Sequence, residues 1–142
     1  TLPSGLEEIG DNAFWNCKSL SGALVLPASL RMIGENAFSY CDAFTGNLTI
    51  PEGVTTVKSY AFACKSIGNT IILPSTLVSL GYQAFYGMPD IKYVRCNRAE
   101  PLVLSLSPFA NASECTLIVP KGSLETYKAA NKWNEFAVIE EE

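Results

Sequence analysis

The chain has 142 residues, 48% hydrophobic and 17% charged, a balance that excludes a disordered or heavily solvated polypeptide. Its formal net charge is −4, and three of the fourteen acids stand together at Glu140, Glu141 and Glu142, so the body is nearly neutral. The ten basic residues are scattered from Lys18 to Lys132, which argues against the clustered positive surface that nucleic acid requires. No apolar run approaches the roughly 20 residues of a membrane helix, and the first residues carry no leader pattern.

In chain order, four short apolar runs each close on a proline: "TLP" at Pro3, "LVLP" at Pro27, "LTIP" at Pro51 and "IILP" at Pro74. The steps are 24, 24 and 23 residues. Apolar residues recur at fixed offsets from these prolines. Three after stand Leu6, Leu30, Val54 and Leu77; six after stand Ile9, Ile33, Val57 and Leu80. Then come Ala13-Phe14, Ala37-Phe38, Ala61-Phe62 and Ala84-Phe85, followed by Cys17, Cys41, Cys64 and Met88. Leu20, Phe44, Ile67 and Ile91 follow three residues later, and the pairs Leu24-x-Leu26, Leu48-x-Ile50, Ile71-x-Leu73 and Val94-x-Cys96 close each unit.

A period of this length falls in the leucine-rich-repeat range. One such turn cannot bury its apolar side alone, whereas stacked turns bury a continuous column. The paired apolar residues alternate as a strand does, so Leu24 and Leu26 should point inward and Val25 outward. Stacking these strands predicts a parallel sheet along one face. A second extended segment, "LRMI" or "VTTV", is expected on the opposite side. The third unit lacks one residue between Phe62 and Cys64, and the fourth lacks one between Ile91 and Val94. Gly22, Gly46 and Gly68 suggest a glycine bulge before the strand.

After Cys96 the pattern loosens, keeping Phe109 and a last strand, "TLIVP", that ends at Pro120. The spacing therefore predicts a repeat solenoid over 1–120, with turns near 3–26, 27–50, 51–73 and 74–96 and a degenerate fifth over 97–120. Residues 121–142 form a capping tail that covers the last open turn. In it Ser123 is placed as a helix N-cap, Leu124 and Tyr127 share a face, and Trp133, Phe136 and Ile139 add apolar bulk. Thr1-Leu2-Pro3 reads as the end of a strand, so a longer parent protein is expected, with further repeats or a secretion signal ahead of it.

The pattern "LP-x-x-L-x-x-I-G-x-x-A-F-x-x-C-x-x-L", matched closely from Leu26 to Leu48, resembles the BspA-like (Treponema pallidum type) leucine-rich repeat. The tail "VPKGSLETYKAANKWNEF" resembles the closing segment of Bacteroides surface proteins of that type, through Val119, Pro120, Gly122, Ser123, Tyr127, Trp133 and Phe136. The resemblance implies a right-handed leucine-rich-repeat superhelix in a secreted or cell-surface protein, often an adhesin. It implies no fixed binding residues.

Catalytic chemistry finds little footing. The chain has no histidine, which removes the commonest general base and the Ser-His and Cys-His pairs. Phosphate-cradling loops and nucleophile elbows are absent. Glu7-Glu8, the only paired carboxylates before the tail, point to opposite sides of an extended segment. Cys17, Cys41 and Cys64 lack the close spacing of a metal site and read as small buried hydrophobes. Cys96 and Cys115, on neighbouring irregular turns, leave a disulfide open. The sequons at Asn47 and Asn111 are chance matches in a bacterial protein.

Binding candidates are the outward strand positions Val25, Thr49, Ile72, Arg95 and Ile118, flanked by Tyr93, because they line one continuous surface. Their apolar members equally suit plain strand propensity. Trp15 and Tyr86 follow the repeated Phe and either stack on sugars or pack across the turn. The expected function is a non-catalytic module for adhesion to a host or bacterial surface protein, with no cofactor or metal. Glycan binding and a structural stalk are the alternatives. The expected location is extracellular or at the cell surface, with any membrane anchor lying in segments ahead of this sequence.

Overall fold

A period near 24 residues leaves each side of a turn room for only two to four extended residues, and the strands have that length. The computed structural model describes residues 1–142. In chain order the strands of the first turns are β1 (Glu8–Ile9), β2 (Ser21–Ala23), β3 (Met32–Ile33), β4 (Ala43–Thr45), β5 (Leu48–Thr49) and β6 (Thr56–Val57). Then follow β7 (Thr70–Leu73), β8 (Ser79–Leu80), β9 (Tyr93–Cys96), β10 (Thr116–Val119), the helix α1 (Leu124–Ala129) and β11 (Val138–Glu141). The pairings are all parallel.

Two sheets run along the solenoid, as the two apolar segments of each unit predict. One has the order β1-β3-β6-β8, the other β11-β10-β9-β7-β5. A third, two-stranded ribbon joins β2 to β4. Within one turn the three-residue spacing of Leu30 and Ile33, or Val54 and Val57, points both side chains into the core, where they are fully buried.

The Ala-Phe corner forms a third ladder. Phe14, Phe38 and Phe62 donate their N–H groups to the carbonyls of Ala37, Ala61 and Ala84 in the next turn. Inside, the rings of Phe14, Phe38, Phe62, Phe85 and Phe109 form one stack with centroids 5.1, 5.4, 5.7 and 5.3 Å apart. The residue before each Ala, namely Asn12, Asn36, Tyr60 or Gln83, takes a left-handed backbone. So do Asn16, Tyr40 and Gly87 between Phe and the Cys or Met rung. The residue missing from the third unit is this second one. There Cys64 N–H bonds to the Phe62 carbonyl, where Cys41 N–H reaches three residues back to Phe38.

The tail is a sixth turn, where the spacing predicted five turns and a cap. β11 pairs along β10, and Trp133 and Phe136 close on Phe109 at 6.1 and 5.2 Å. Tyr127, buried in α1, donates to the Arg98 carbonyl at 3.0 Å. Ser123 does sit at the N-cap position, but its hydroxyl makes no capping bond. Glu141 of β11 supplies it instead, its carboxylate accepting from Gly122 and Leu124 N–H at 2.8 and 3.0 Å. An anion there also suits the helix N-terminus.

Of the cysteine ladder, Cys41 and Cys64 are buried and also hydrogen-bond, while Cys17 in the first turn is half-buried. The Cys41 thiol donates to the Phe14 carbonyl at 2.9 Å and that of Cys64 to Phe38 at 2.8 Å. An alanine or valine would fill the space without making these bonds. Cys96 and Cys115 remain free thiols. The β9–β10 register sets Arg95 against Ile118, so Cys96 falls opposite Val119. Four residues of strand, about 13 Å, then separate it from Cys115, beyond the roughly 7 Å limit of a disulfide.

Two outcomes test this packing. At one repeat position stand Gly10, Gly34 and Gly81. A Cβ on Gly81 would lie 2.3 Å from the Ser59 nitrogen of the preceding turn, whereas one on Gly10 meets nothing. Gly81→Ala should therefore cost about 1–3 kcal/mol in a denaturant melt, and Gly10→Ala close to nothing.

Burial pushes the Cys64 thiol up from 9.0 to about 12. A raised folded-state pKa stabilises below the unfolded value and is lost as pH rises through the folded one. Between pH 9 and 12 the wild type should lose stability more steeply than Cys64→Ala, by about 1.4 kcal/mol per pH unit. Equal slopes in urea melts across that range would show that the thiolate is not desolvated.

Candidate functional site

The five-stranded sheet turns one side to the core and the other to solvent. Its register sets Thr49, Ile72, Arg95, Ile118 and Glu140 in one row. A second row holds Thr70, Tyr93, Thr116 and Val138. Tyr93 and Val138 are exposed, while Ile72 and Ile118 are half-buried among their neighbours. The Arg95 guanidinium reaches Glu142 at 2.9 Å, so its side chain crosses β10. A half-exposed pair like this contributes under about 1 kcal/mol, but it fixes where the cation lies.

Five of the sequence candidates (Thr49, Ile72, Tyr93, Arg95 and Ile118) thus share one surface. Val25 does not. It is 75% exposed, as expected, but Leu24–Leu26 belongs to no strand. In the first turn the paired segment is β2, where Gly22 faces Phe44, two residues short of the 24-residue step. Gly22 and Gly46 have φ of +85° and +79°, and the bend at Gly46 separates β4 from β5. The hydrogen-bonded sheet consequently begins at β5, and Val25 points outward beyond its end. Gly68 serves a different purpose: a Cβ there would lie 2.9 Å from the Gly46 carbonyl.

A second feature lies at the Ala-Phe corner. Trp15 and Tyr86 are 52% and 47% exposed, and each packs edge-on against a neighbour. Trp15 meets Tyr40 at 6.3 Å; Tyr86 meets Tyr60 at 6.2 Å, and Tyr60 meets Tyr82 at 5.7 Å. Both sequence alternatives, exposure and packing across the turn, therefore hold at once. The sequence reading missed Tyr40, Tyr60, Tyr82 and Val138. The three tyrosines occupy different repeat offsets, so no ladder marks them. The available signal was their place on the corner flanking a repeated Ala-Phe. Left-handed φ at Tyr40 and Tyr60, 60° and 56°, turns those rings outward at a cost of about 1–2 kcal/mol each. Burial, together with the neighbouring phenols, pushes the Tyr60 phenol up.

Two clefts of about 350 and 340 Å³ mark the surface. The first is lined by residues 78–82 and 102–106 with Ser59, and none of these carries a carboxylate or an amine. Lys65 and Glu114 border the second. No group of three or more Cys, Asp or Glu side chains is placed to hold a metal ion. A surface ion pair, Lys58 with Asp11 at 3.0 Å, joins the first turn to the third. The Glu35 N–H and then Lys58 hold the Asp11 carboxyl below its usual range. These groups tie turns together.

Similarity to known proteins agrees with the geometry. The chain resembles the crystal structure of the pneumococcal vaccine antigen PcpA, with a TM-score of 0.69 and 18% identity over 99% of this chain. It spans 40% of the length of that structure. At this identity the likeness concerns the fold. No curated protein sequence matches the chain. Residues 1–127 match the family described as "BspA type Leucine rich repeat region", in six copies. Its periodic rungs, two parallel ladders and six turns are those of a BspA-type leucine-rich-repeat protein, and the chain belongs to that family.

Proposed function

We propose that this chain is a non-catalytic surface module that binds a protein partner through the outer face of its five-stranded sheet. The observation that carries the reading is the register that gathers Ile72, Tyr93, Arg95, Ile118 and Val138 onto one flat surface. Aromatic, aliphatic and arginine side chains side by side are the residue types that dominate interface energetics. A flat parallel sheet presents them without loops to order, which lowers the entropic cost of binding. The BspA-type repeat and the neighbour's description as a vaccine antigen support a setting at the cell surface, where antibodies reach. No helix is long and apolar enough to cross a membrane.

The exposed rings of Trp15, Tyr40, Tyr82 and Tyr86 at the corners favour a second reading, glycan binding, because exposed rings stack on sugar faces. The edge-on packing speaks against it as the main function, since alternate rings are turned away from a common plane.

The test is a screen of the chain against host matrix proteins and a glycan array. A matrix or surface protein should bind, and Tyr93→Ala with Ile118→Lys should weaken it at least tenfold with an unchanged melting temperature. Trp15→Ala and Tyr86→Ala should leave that binding within twofold. Binding of a glycan alone, lost with the Trp15 and Tyr86 variants, would replace the protein reading with the glycan one.

A further inference from the structure

One sheet of the solenoid stops early. In β1-β3-β6-β8 each turn donates backbone N–H groups to the turn before. Thr55 and Lys58 donate to Arg31 and Ile33, then Ser79 and Gly81 donate to Thr55 and Val57. The fifth turn should bond in the same way to Val78 and Leu80. It does not: no backbone hydrogen bond joins residues 102–106 to residues 78–82. The turns rejoin just beyond, where Gln83 donates to Ser107 and Phe85 to Pro108.

The sequence explains the gap. Regular turns bury residues three apart on this side, as with Leu77 and Leu80, while the fifth turn buries Leu102 and Leu104, two apart. The fully alternating segment cannot follow the kinked path of its neighbours. It is held from the far side instead, where Trp133 Nε1 and Asn131 Nδ2 donate to the carbonyls of Leu102 and Leu104 at 2.9 and 3.1 Å. The cleft of about 350 Å³ lies between this segment and β8.

The walls of the cleft say what fits it. Ser79 and Gly81 face β6, so by alternation Leu80 turns its N–H and C=O into the cleft, two residues along from the free Val78 carbonyl. Two carbonyls about 6.6 Å apart with one N–H between them are the groups that an extended polypeptide backbone pairs with. The rim is apolar: Val78, Val103 and Leu106 are exposed, Val103 completely so. No lining side chain is charged at neutral pH.

We propose that this cleft docks an extended segment of a partner protein, with apolar residues three apart as at Leu30 and Ile33, which adds a strand to β8. The site lies apart from the five-stranded face and does not depend on the function assigned to that face.

A suitable probe is the acetylated and amidated peptide copying Ala28–Glu35, because its Met32 and Gly34 make to β1 the bonds that β8 lacks. Titrated into the full ¹⁵N-labelled chain, it should shift the amide signals of residues 78–82 and 102–106 and slow exchange of the Leu80 amide at least tenfold. The same peptide N-methylated at Met32 and Gly34 should bind at least tenfold more weakly. Val103→Lys with Leu106→Lys, at exposed positions, should keep the melting temperature and weaken binding at least fivefold.

The proposal fails if millimolar peptide leaves these amides unmoved or shifts others, or if the N-methylated peptide binds equally. It also fails if the Leu80 amide is already protected in a dimer that forms with rising concentration, since the occupant would then be a second copy of the chain. A glycan that alone moves these signals would overturn it as well.

Discussion

The stacked phenylalanine column sets the geometry on which the rest of this solenoid depends. Rings 5.1–5.7 Å apart are spaced slightly wider than paired strands, which sit about 4.8 Å apart. Each offset-stacked pair contributes about 0.5–1.5 kcal/mol beyond its buried area. To keep the rings in one line, every turn must reverse the chain at the same point. That requirement explains the small Ala before Phe14, Phe38, Phe62 and Phe85, the left-handed residue ahead of each pair, and the second left-handed residue after all of them but Phe62. It also explains the thiol rung, because a cysteine two or three residues on can fill the corner while its thiol bonds the Phe carbonyl of the preceding turn.

Much of this was legible in the residues. The rungs from Leu30 to Ile91 follow from spacing alone, because a buried column admits only apolar side chains at fixed steps. Both ladders of strands followed from the same spacing. What could not be read was whatever depends on register between turns. Leu24–Leu26 has the right pattern for a strand, but a bend at Gly46 denies it a partner. Glu141 caps α1 from seventeen residues away, a contact that no local capping pattern encodes. The partner of Arg95 was hidden for the same reason, since Glu142 reaches it across an intervening strand.

Outward positions obey a different rule. The column does not constrain them, so their identities are not periodic and repeat arithmetic cannot find them. Tyr40 reaches Trp15, and Tyr60 reaches Tyr82 and Tyr86, from separate offsets, with left-handed backbone at Tyr40 and Tyr60. The five-stranded face is easier to anticipate, since strand alternation fixes which residues point outward. Even there Val138 was missed, because the tail was read as a cover when it is a turn of the ladder.

The two proposed surfaces arise from opposite causes. The five-stranded face exists because the repeat holds from β5 to β11, so its rows are straight and its side chains sit at ladder spacing. The cleft beside β8 exists because the repeat fails in one turn, where Leu102 and Leu104 keep step with a plain strand instead of with Leu77 and Leu80. A regular solenoid satisfies its main-chain groups within itself and presents only side chains. An irregular turn releases main-chain donors and acceptors, and such groups are costly to leave without partners. As proposed binding surfaces, the face would select a partner by side-chain chemistry and the cleft by backbone conformation. One chain of six turns can offer both because the tail holds the irregular turn in place through Trp133 and Asn131.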